Sequence, residues 1–269
     1  MDRTREYRFF VSPELLQGAA AGSRITLSDE TLAHQVRNVL RLRAGDRLTL
    51  LDGNNIARVK IEEGEQESKK GRAQKTSEHL LVETIERVPQ KQGAAVAVAM
   101  PLIKPARFEL ALEKLTELGV DEILPFYCTR LVTKPDRGGE SGARRARMQA
   151  ILRESSEQCE RLRLPVLHES RSFSDLLSTT ENYHWKLLLA ERSEAPNLVH
   201  LLCNREAEKP PAHERILILL GPEGGLTNEE KEAAQSLFQS VSLGSEILRS
   251  ETAAIVASAL VISHIMNKD

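Results

Sequence analysis

Two loops in the last quarter of the chain contain the residues whose types and spacing could do chemistry. The first reads Gly-Pro-Glu-Gly-Gly at 221–225, and the second reads Leu-Gly-Ser-Glu-Ile-Leu-Arg-Ser-Glu at 243–251. Each follows an apolar run and precedes a helical pattern, as expected for a loop that joins a buried strand to a helix. Ligands of open α/β sheets bind beyond the carboxyl ends of the strands, so these loops predict a ligand site.

The first loop matches neither of the common phosphate-binding motifs. No Gly-Lys-Ser or Gly-Lys-Thr follows it, and Gly221, Gly224 and Gly225 do not have the spacing of the dinucleotide fingerprint. Thr227 and Glu230 have the capping-box spacing, which predicts a helix that begins directly after Thr227. Two interpretations stay open: a glycine-rich connection without a ligand, or a loop whose backbone approaches a ligand closely.

The second loop adds polar side chains. We predict that Ser250 is the N-cap of the last helix, with Glu251 in the first turn, where the helix dipole favours a carboxylate. Arg249 opposes that dipole and therefore needs an anionic partner, either an acidic side chain or a phosphate. The helix predicted over 253–266 is apolar nearly all round, which suggests that one face packs on the sheet and another on a partner subunit.

Composition narrows the class of protein. The chain has 269 residues, of which 41% are hydrophobic and 28% charged, as in a globular protein of one or two domains. Because the net charge is −2, any nucleic acid would have to bind at a local basic patch. Only 4% of the residues are aromatic, which disfavours a base-stacking platform. The three separated cysteines, the charged start and the lack of a long apolar run predict a soluble cytoplasmic protein, with no membrane contact. The seven histidines lack paired spacing, so we expect no metal.

The pattern of elements changes near residue 90. Residues 7–88 read as strands around one short helix at 31–40, which predicts a small β-rich barrel, and the charged stretch 62–78 reads as a mobile hairpin loop. We predict a linker at residues 89–93. Strands then alternate with helices as in a parallel α/β sheet, so we predict two domains, 1–88 and 93–269. The second contains strands predicted at 94–100, 120–127 and 185–190 and helices at 108–118 and 144–159.

Basic residues form two groups along the chain. His34, Arg37 and Arg41 are spaced by three or four residues, which would place them on one helical face. The other group surrounds a Gly-rich loop and the following helix and comprises Arg137, Arg144, Arg145, Arg147 and Arg153. Each group could be a solvated surface, or it could bind phosphates, which gives affinity without sequence choice. Similarly, the near-helical spacing of Glu157, Gln158 and Arg161 fits either a target pocket or a surface helix with an internal ion pair.

The two C-terminal motifs in combination resemble those of the SPOUT methyltransferases, specifically the RsmE family. Further matches are Arg-Phe-Phe at 8–10, His-Gln-Val-Arg-Asn-Val-Leu-Arg at 34–41 and Leu-Glu-Lys-Leu-Thr-Glu-Leu-Gly at 112–119, so the resemblance covers essentially the whole chain. Three departures are modest. Ser250 replaces the usual Thr, Ser155 and Ser156 stand where Ala or Cys is common, and 62–78 looks like an enlarged loop.

This resemblance implies a C-terminal SPOUT α/β domain with a parallel sheet and a deep trefoil knot. It also implies a preceding PUA-like β-barrel that binds RNA, a homodimer, and S-adenosylmethionine as cofactor. The implied reaction is methylation of N3 of a uridine in 16S rRNA of the small ribosomal subunit. The residues that would clasp the cofactor, largely through their backbones, are Leu189, Ala190, Glu191, Gly221, Pro222, Glu223, Gly224, Gly225, Leu243, Gly244, Ile247, Leu248, Thr252 and Ala253.

The resemblance also suggests which side chains face the RNA. Arg249, with loop amides, would stabilise negative charge at O2 or O4 of the uracil, and Glu223 and Glu251 are candidates for a general base. Alternatives are a related enzyme acting on another RNA base, a non-catalytic RNA-binding protein, and a phosphate- or nucleotide-binding enzyme. The candidate RNA-binding residues are Arg8, His34, Arg37, Arg41, Lys104, Arg107, Arg153, Glu157, Gln158 and Arg161.

Overall fold

The computed structural model describes residues 7–63, 78–91, 93–131, 142–190, 195–205 and 213–266. The chain divides into two compact units. Unit 1 comprises Met1–Gln90 and Glu160–Arg163, and unit 2 comprises Lys91–Cys159 and Leu164–Asp269. The boundary after Gln90 lies within the stretch 89–93 that the sequence suggests as a linker.

Unit 1 is built on one mostly antiparallel sheet. Its strand order is β1-β3-β4-β5-β2, in which only the β1–β3 pair is parallel. Phe9, Leu50 and Val59 are fully or almost fully buried, as expected where apolar residues alternate along half-buried strands. The elements are β1 (Tyr7–Phe10), α1 (Pro13–Leu16), β2 (Arg24–Leu27), α2 (Glu30–His34), β3 (Arg47–Leu51), β4 (Asn55–Ile61) and β5 (Glu78–Arg87).

The short helix predicted over 31–40 is present but changes its geometry half-way. Asp29 caps α2 by accepting hydrogen bonds from the Thr31 and Leu32 amides, and a π-helical turn, Gln35–Val39, follows α2. Arg41 lies beyond this turn in the left-handed region, with φ of 56°. The prediction that Arg41 shares a regular helical face with His34 and Arg37 is therefore wrong, because the spacing rule holds only within an α-helix.

The turn predicted at 52–54 is confirmed. The Asp52 carboxylate accepts hydrogen bonds from the backbone amides of Asn54 (2.8 Å) and Asn55 (2.6 Å), a local pattern typical of Asp in turns. Beyond it, β4 pairs antiparallel with β5. The loop predicted at 62–78 connects these two strands, and its residues 64–77 lie outside the described part of the chain.

Unit 2 contains a seven-stranded parallel sheet, which confirms the predicted α/β class. Its order is β12-β10-β11-β6-β7-β8, and β9 also pairs with β7. The strands are β6 (Ala95–Pro101), β7 (Glu122–Tyr127), β8 (Val166–Leu167), β9 (Arg171–Ser172), β10 (Trp185–Leu189), β11 (Arg215–Leu219) and β12 (Gln239–Val241). The helices are α3 (Pro105–Leu118), α4 (Gly142–Gln158), α5 (Phe173–Ser178), α6 (Leu198–Asn204), α7 (Asn228–Gln235) and α8 (Ser250–Met266).

The central strands are covered on both faces, which explains their continuous apolar sequences. In β11, Ile216 and Ile218 join one buried cluster, whereas Leu217 and Leu219 join the cluster on the other face. This alternation follows from the two-residue period of a strand. The sheet is therefore held between two apolar layers, and its strand ends are fixed relative to one another.

At the amino ends of the strands, one partly buried carboxylate, that of Glu122, is hydrogen-bonded to several segments of unit 2. Glu122 of β7 is hydrogen-bonded to His168 Nε2 (2.8 Å), Tyr183 Oη (3.1 Å) and Arg215 Nη2 (2.5 Å). The bond with His168, opposed by burial and reinforced by Arg215 and Tyr183, lowers the pKa of Glu122 to about 2. The carboxylate is thus held in its charged form, and it links β7 to β11 and to the segments that contain His168 and Tyr183.

Several helix ends agree with the sequence, and one does not. Gly119 ends α3 in the left-handed region (φ 98°), and the Thr227–Glu230 capping box begins α7, as predicted. Ser250, however, is the first residue of α8 and not its N-cap. The Ala253 amide donates to the carbonyl of Arg249 (2.8 Å), which places Arg249 at the cap position.

Candidate functional site

The loops singled out in the sequence meet at one edge of the unit 2 sheet. Strand β10 lies between β11 and β12, and all three are parallel, so their carboxyl ends are neighbours. The loops that follow them surround a cleft of about 470 Å³, part of it open to solvent. The lining residues are Leu189, Ala190, Leu220, Gly221, Val241, Leu243, Gly244, Glu246, Leu248, Ser250 and Ala253.

The backbone of the second loop is the most unusual feature of this cleft. Just before it, Ser242 donates its amide to Pro196 and accepts from the Leu198 amide through its carbonyl. From 243 to 248, by contrast, no N–H or C=O group is hydrogen-bonded to another described residue. Backbone polar groups of folded proteins are almost always paired, so this run is available to water or to a ligand in the cleft.

Two glycines near the cleft are required for different reasons. Gly244 lines the cleft with φ of 142°, where a side chain would strain the backbone, and nothing lies within 4 Å of the position a Cβ would take. Gly224 has no such conformation. A Cβ there would lie 3.2 Å from the Arg130 carbonyl oxygen, so Gly224 serves close packing of the protein on itself.

A side-chain hydrogen bond joins the two loops directly. The Ser250 hydroxyl, at the start of α8, donates to the carbonyl oxygen of Gly221 at 2.8 Å. Since Ser250 is 5% exposed, this bond is shielded from water. It explains why a small hydroxyl residue stands at 250, although the sequence assigned Ser250 a different role, that of an N-cap.

The two candidate general bases converge on one cation. Arg107, in the first turn of α3, forms an ion pair with Glu223, and its Nε lies 3.7 Å from Glu251 Oε1. The Glu251 side chain is only 7% exposed, and its Oε2 atom is buried without a hydrogen-bond partner in the described residues. Arg107 therefore lies between the two carboxylates and forms an ion pair with each, a contact that sequence spacing could not reveal.

Arg249 is exposed beside this cluster. In the described part of the chain, its guanidinium forms neither an ion pair nor a hydrogen bond, so the acidic partner considered from the sequence is not found there. Lys104, directly before α3, is likewise exposed and has no side-chain partner among the described residues. Both cations remain available to an external anion.

The candidate cofactor residues separate into two sets. Seven line the cleft: Leu189, Ala190, Gly221, Leu243, Gly244, Leu248 and Ala253. Six described candidates are not among the lining residues: Pro222, Glu223, Gly224, Gly225, Ile247 and Thr252. Glu191 lies outside the described residues. Sequence reasoning missed Leu220, Val241, Glu246 and Ser250 as lining residues, although each lies within two residues of one of the two motifs or inside it.

The candidate RNA-binding residues of unit 1 differ in whether they already pair with a carboxylate of the protein. Arg8 lies 3.4 Å from Glu160, and Arg37 lies 2.6 Å from Glu78, whose side chain is 6% exposed. Arg37 therefore compensates a buried carboxylate of the unit itself. His34 and Arg41 are exposed. They are the better placed of these four residues to meet a phosphate.

The candidate RNA-binding residues between 153 and 161 do not all lie on α4. Arg153, Glu157 and Gln158 lie on the last two turns of α4, whereas Arg161 lies beyond the end of the helix. The prediction that Arg161 shares a helical spacing with Glu157 and Gln158 is therefore wrong. The Arg161 Nε atom donates a hydrogen bond to the Arg163 carbonyl oxygen (3.2 Å). The remaining arginines of this second basic group are largely engaged within the protein. Arg144 donates to Ile103, Arg145 donates to Leu167 and His168, Arg147 pairs with Glu109, and Arg137 lies outside the described residues.

Two classes of feature are missing from the described parts of the chain. They contain no helix long and apolar enough to span a membrane. The same ranges hold no group of three or more His, Cys, Asp or Glu side chains arranged to bind a metal ion.

Comparison with known protein families gives a consistent match. The model of an RNA methyltransferase domain matches residues 90–262. "Ribosomal RNA small subunit methyltransferase E" of Rickettsia conorii is 31% identical over 245 residues, which are 90% of this chain and 91% of that protein. The protein of the same name from Mesomycoplasma hyopneumoniae is 35% identical over 161 residues, 60% of this chain. That alignment spans 66% of the relative, just under two thirds of its length.

Solved structures show the same fold. A ribosomal RNA small subunit methyltransferase E from Neisseria gonorrhoeae, bound to S-adenosyl methionine, superposes with a TM-score of 0.77 at 23% identity, covering 96% of this chain and 97% of that one. A protein from Legionella pneumophila, described as a methyltransferase in complex with bound SAM, gives a TM-score of 0.78 at 24% identity, covering 98% of each chain. At this identity the likeness supports the shared α/β fold.

Proposed function

Because the chain belongs to the RNA methyltransferase family that includes the ribosomal RNA small subunit methyltransferase E proteins, we propose that it methylates N3 of a uridine in 16S rRNA with S-adenosylmethionine. The family supports the reaction class, and the motif resemblance supports the choice of uridine N3. The observation that carries the cofactor assignment is the backbone of 243–248, which makes no hydrogen bond to another described residue. Four residues of this run line the cleft at the carboxyl ends of three parallel strands: Leu243, Gly244, Glu246 and Leu248.

The chemistry of the cleft fits this cofactor. S-adenosylmethionine has no phosphate, and no lysine or arginine is among the residues that line the cleft. Leu243, Leu248 and Ala253 offer apolar surface for an adenosine, while the free amides and carbonyls of 243–248 can pair with the polar edge of adenine. The bound cofactor would supply an electrophilic methyl group.

For the chemical step, we assign the central role to Arg249. Uridine N3 becomes nucleophilic when its proton leaves, and the resulting negative charge spreads to O2 and O4. The Arg249 guanidinium has no partner among the described residues and directly precedes the cleft residue Ser250, so it is suited to stabilise that charge. Both candidate bases, Glu223 and Glu251, pair with Arg107, and the Glu251 Oε2 atom has no hydrogen-bond partner among the described residues.

Several finer features belong to the same proposal. We assign unit 1 as a PUA-like barrel that holds RNA through exposed side chains such as His34 and Arg41, with Lys104 of unit 2 as a further phosphate contact. We further propose the trefoil knot, the homodimer and the cytoplasmic location that the motif resemblance implies. The partly exposed apolar residues of α8, such as Leu260 and Ile262, support a partner subunit at that helix.

A calorimetric titration with S-adenosylmethionine tests this function. We expect saturable binding, competition by S-adenosylhomocysteine and no competition by ATP, followed by transfer of a labelled methyl group to small-subunit rRNA. A non-catalytic RNA-binding protein would show no cofactor binding. A nucleotide-binding enzyme would show competition by ATP but not by S-adenosylhomocysteine, and either result would contradict the proposal.

A further inference from the structure

Arg107 occupies a position that helix electrostatics disfavour. It lies in the first turn of the 14-residue helix α3, where the helix dipole repels a cation. Two carboxylates compensate it, Glu223 from the loop after β11 and Glu251 from the first turn of α8. Those carboxylates are separated from Arg107 by more than one hundred residues of sequence, so the cluster joins three distant segments of unit 2.

Both carboxylates belong to the loops that form the cleft. Glu223 follows Gly221 by two residues, and Glu251 directly follows Ser250. Gly221 and Ser250 line the cleft and are hydrogen-bonded to each other at 2.8 Å. Arg107 thus forms a second bridge between the same two loops, parallel to the Ser250–Gly221 bond.

Breaking this second bridge costs free energy, because one of its two carboxylates is buried. The Glu251 side chain is 93% buried (7% exposed), and Arg107 provides its single described ion pair. Removing one partner of a buried pair leaves an uncompensated charge that must move toward water or be neutralised. Loss of Arg107 would therefore displace the start of α8, including Ser250 and the cap residue Arg249.

We propose that Arg107 is a positioning residue of the cleft, fixing the distance between loop 221–225 and the start of α8. Arg107 is accordingly not an RNA contact, because its guanidinium already serves two carboxylates. Lys104, three residues earlier and without a described partner, takes the RNA-facing role at this helix end. The identity of the cleft ligand rests on the proposed function.

The binding test compares three variants with the wild-type protein. Arg107→Gln should weaken S-adenosylmethionine binding in calorimetry by about tenfold or more and leave the rRNA affinity and its salt dependence within about twofold of wild type. Arg107→Lys should restore part of the cofactor affinity, since it restores the charge. Lys114→Gln is the matched control, because Lys114 also pairs with two carboxylates of α3 (2.7 and 2.9 Å) but does not line the cleft. Lys104→Gln should weaken rRNA binding and reduce its salt dependence.

Hydrogen exchange provides a readout that does not depend on the cofactor. The Gly225 amide donates to the Pro222 carbonyl at 2.8 Å, so its protection reports on loop 221–225. Arg107→Gln should speed exchange at this amide, whereas Lys114→Gln should not. Unchanged cofactor affinity, unchanged exchange, or a reduced rRNA salt dependence in Arg107→Gln would overturn the positioning role. If the wild-type protein fails to bind S-adenosylmethionine, the proposed function fails, and the exchange experiment still decides the role of Arg107.

Discussion

Among individual residues, Arg249 is an exposed cation directly before the last helix, where the helix dipole disfavours a positive charge. Its charge opposes the dipole of the last helix, which marked it as a residue that needs an anion. The structure places it at the cap position of α8, exposed and without an acidic partner among the described residues. Arg107 opposes the dipole of α3 in the same way, but its two carboxylate partners, Glu223 and Glu251, are more than one hundred residues away in sequence.

Replacing Arg249 should separate catalysis from cofactor binding. For Arg249→Ala we expect single-turnover methylation of small-subunit rRNA to fall by about 10²–10³-fold, the usual loss of one charge-stabilising group. The S-adenosylmethionine affinity, measured by calorimetry, should stay within about twofold of wild type, since the Arg249 side chain does not line the cleft. Intact turnover with unchanged cofactor affinity would refute this assignment.

Gly244 should tolerate no side chain, even though space is available for one. With φ of 142°, Gly244→Ala should lower the free energy of unfolding by about 1–3 kcal/mol, measured by urea denaturation. Gly142→Ala is the control, because Gly142 begins α4 without a positive φ and nothing lies near its Cβ position. That variant should be neutral or slightly stabilising, and equal destabilisation of both variants would contradict the argument from backbone strain.

At the level of elements, the sequence predicted the long and strongly patterned segments. Helix α3, strands β6, β10 and β11 and the α7 capping box were all predicted near their observed bounds. Short elements such as β8, α5 and α6 were missed, because two to seven residues carry too little periodicity. The N-cap of α8 was predicted one residue late, at Ser250 instead of Arg249, because Ser250 was assigned by propensity whereas its hydroxyl donates to the distant Gly221.

The α7 capping box also holds the first cleft loop in place. The Glu230 carboxylate accepts hydrogen bonds from the Thr227 amide and from both the amide and the hydroxyl of Thr129. Burial opposes the charged form of Glu230, but these hydrogen bonds outweigh it and lower the pKa of the carboxyl. Thr227→Ala should cost about 1 kcal/mol of stability in chemical denaturation. The exposed neighbour Asn228 serves as control, and a cost for Asn228→Ala as large as that for Thr227→Ala would argue against the cap.

In the whole molecule, the division into two units follows from contacts that sequence patterns do not show. The change of pattern near residue 90 suggested a boundary, but nothing in the sequence grouped Glu160–Arg163 with the first unit. Within unit 1, the Arg163 guanidinium donates to the carbonyls of Val88 (3.2 Å) and Pro89 (2.6 Å). Such long-range pairs depend on tertiary structure, and sequence periodicity reports on local structure alone.

Acid should destabilise unit 2 through Glu122. Its pKa falls from the ordinary value of 4.5 to about 2 on folding, so its contribution to stability is complete above about pH 4.5 and is lost as the pH falls toward 2. Glu122→Gln should flatten the dependence of unfolding free energy on pH in this window. The exposed Glu181 provides the control. If Glu122→Gln keeps the wild-type dependence of unfolding free energy on pH, then other groups determine the acid sensitivity and the prediction is contradicted.

The central claim, that this chain methylates N3 of a uridine in 16S rRNA, is tested most directly by mass spectrometry of rRNA nucleosides. Small subunits are purified from cells that lack the protein, incubated with the purified chain and S-adenosylmethionine, and digested. We predict that 3-methyluridine is missing before incubation and appears after it in the 16S rRNA, and that it fails to appear with Arg249→Ala. Persistence of 3-methyluridine in the deletion cells, or methylation of another base by the purified chain, would contradict the account.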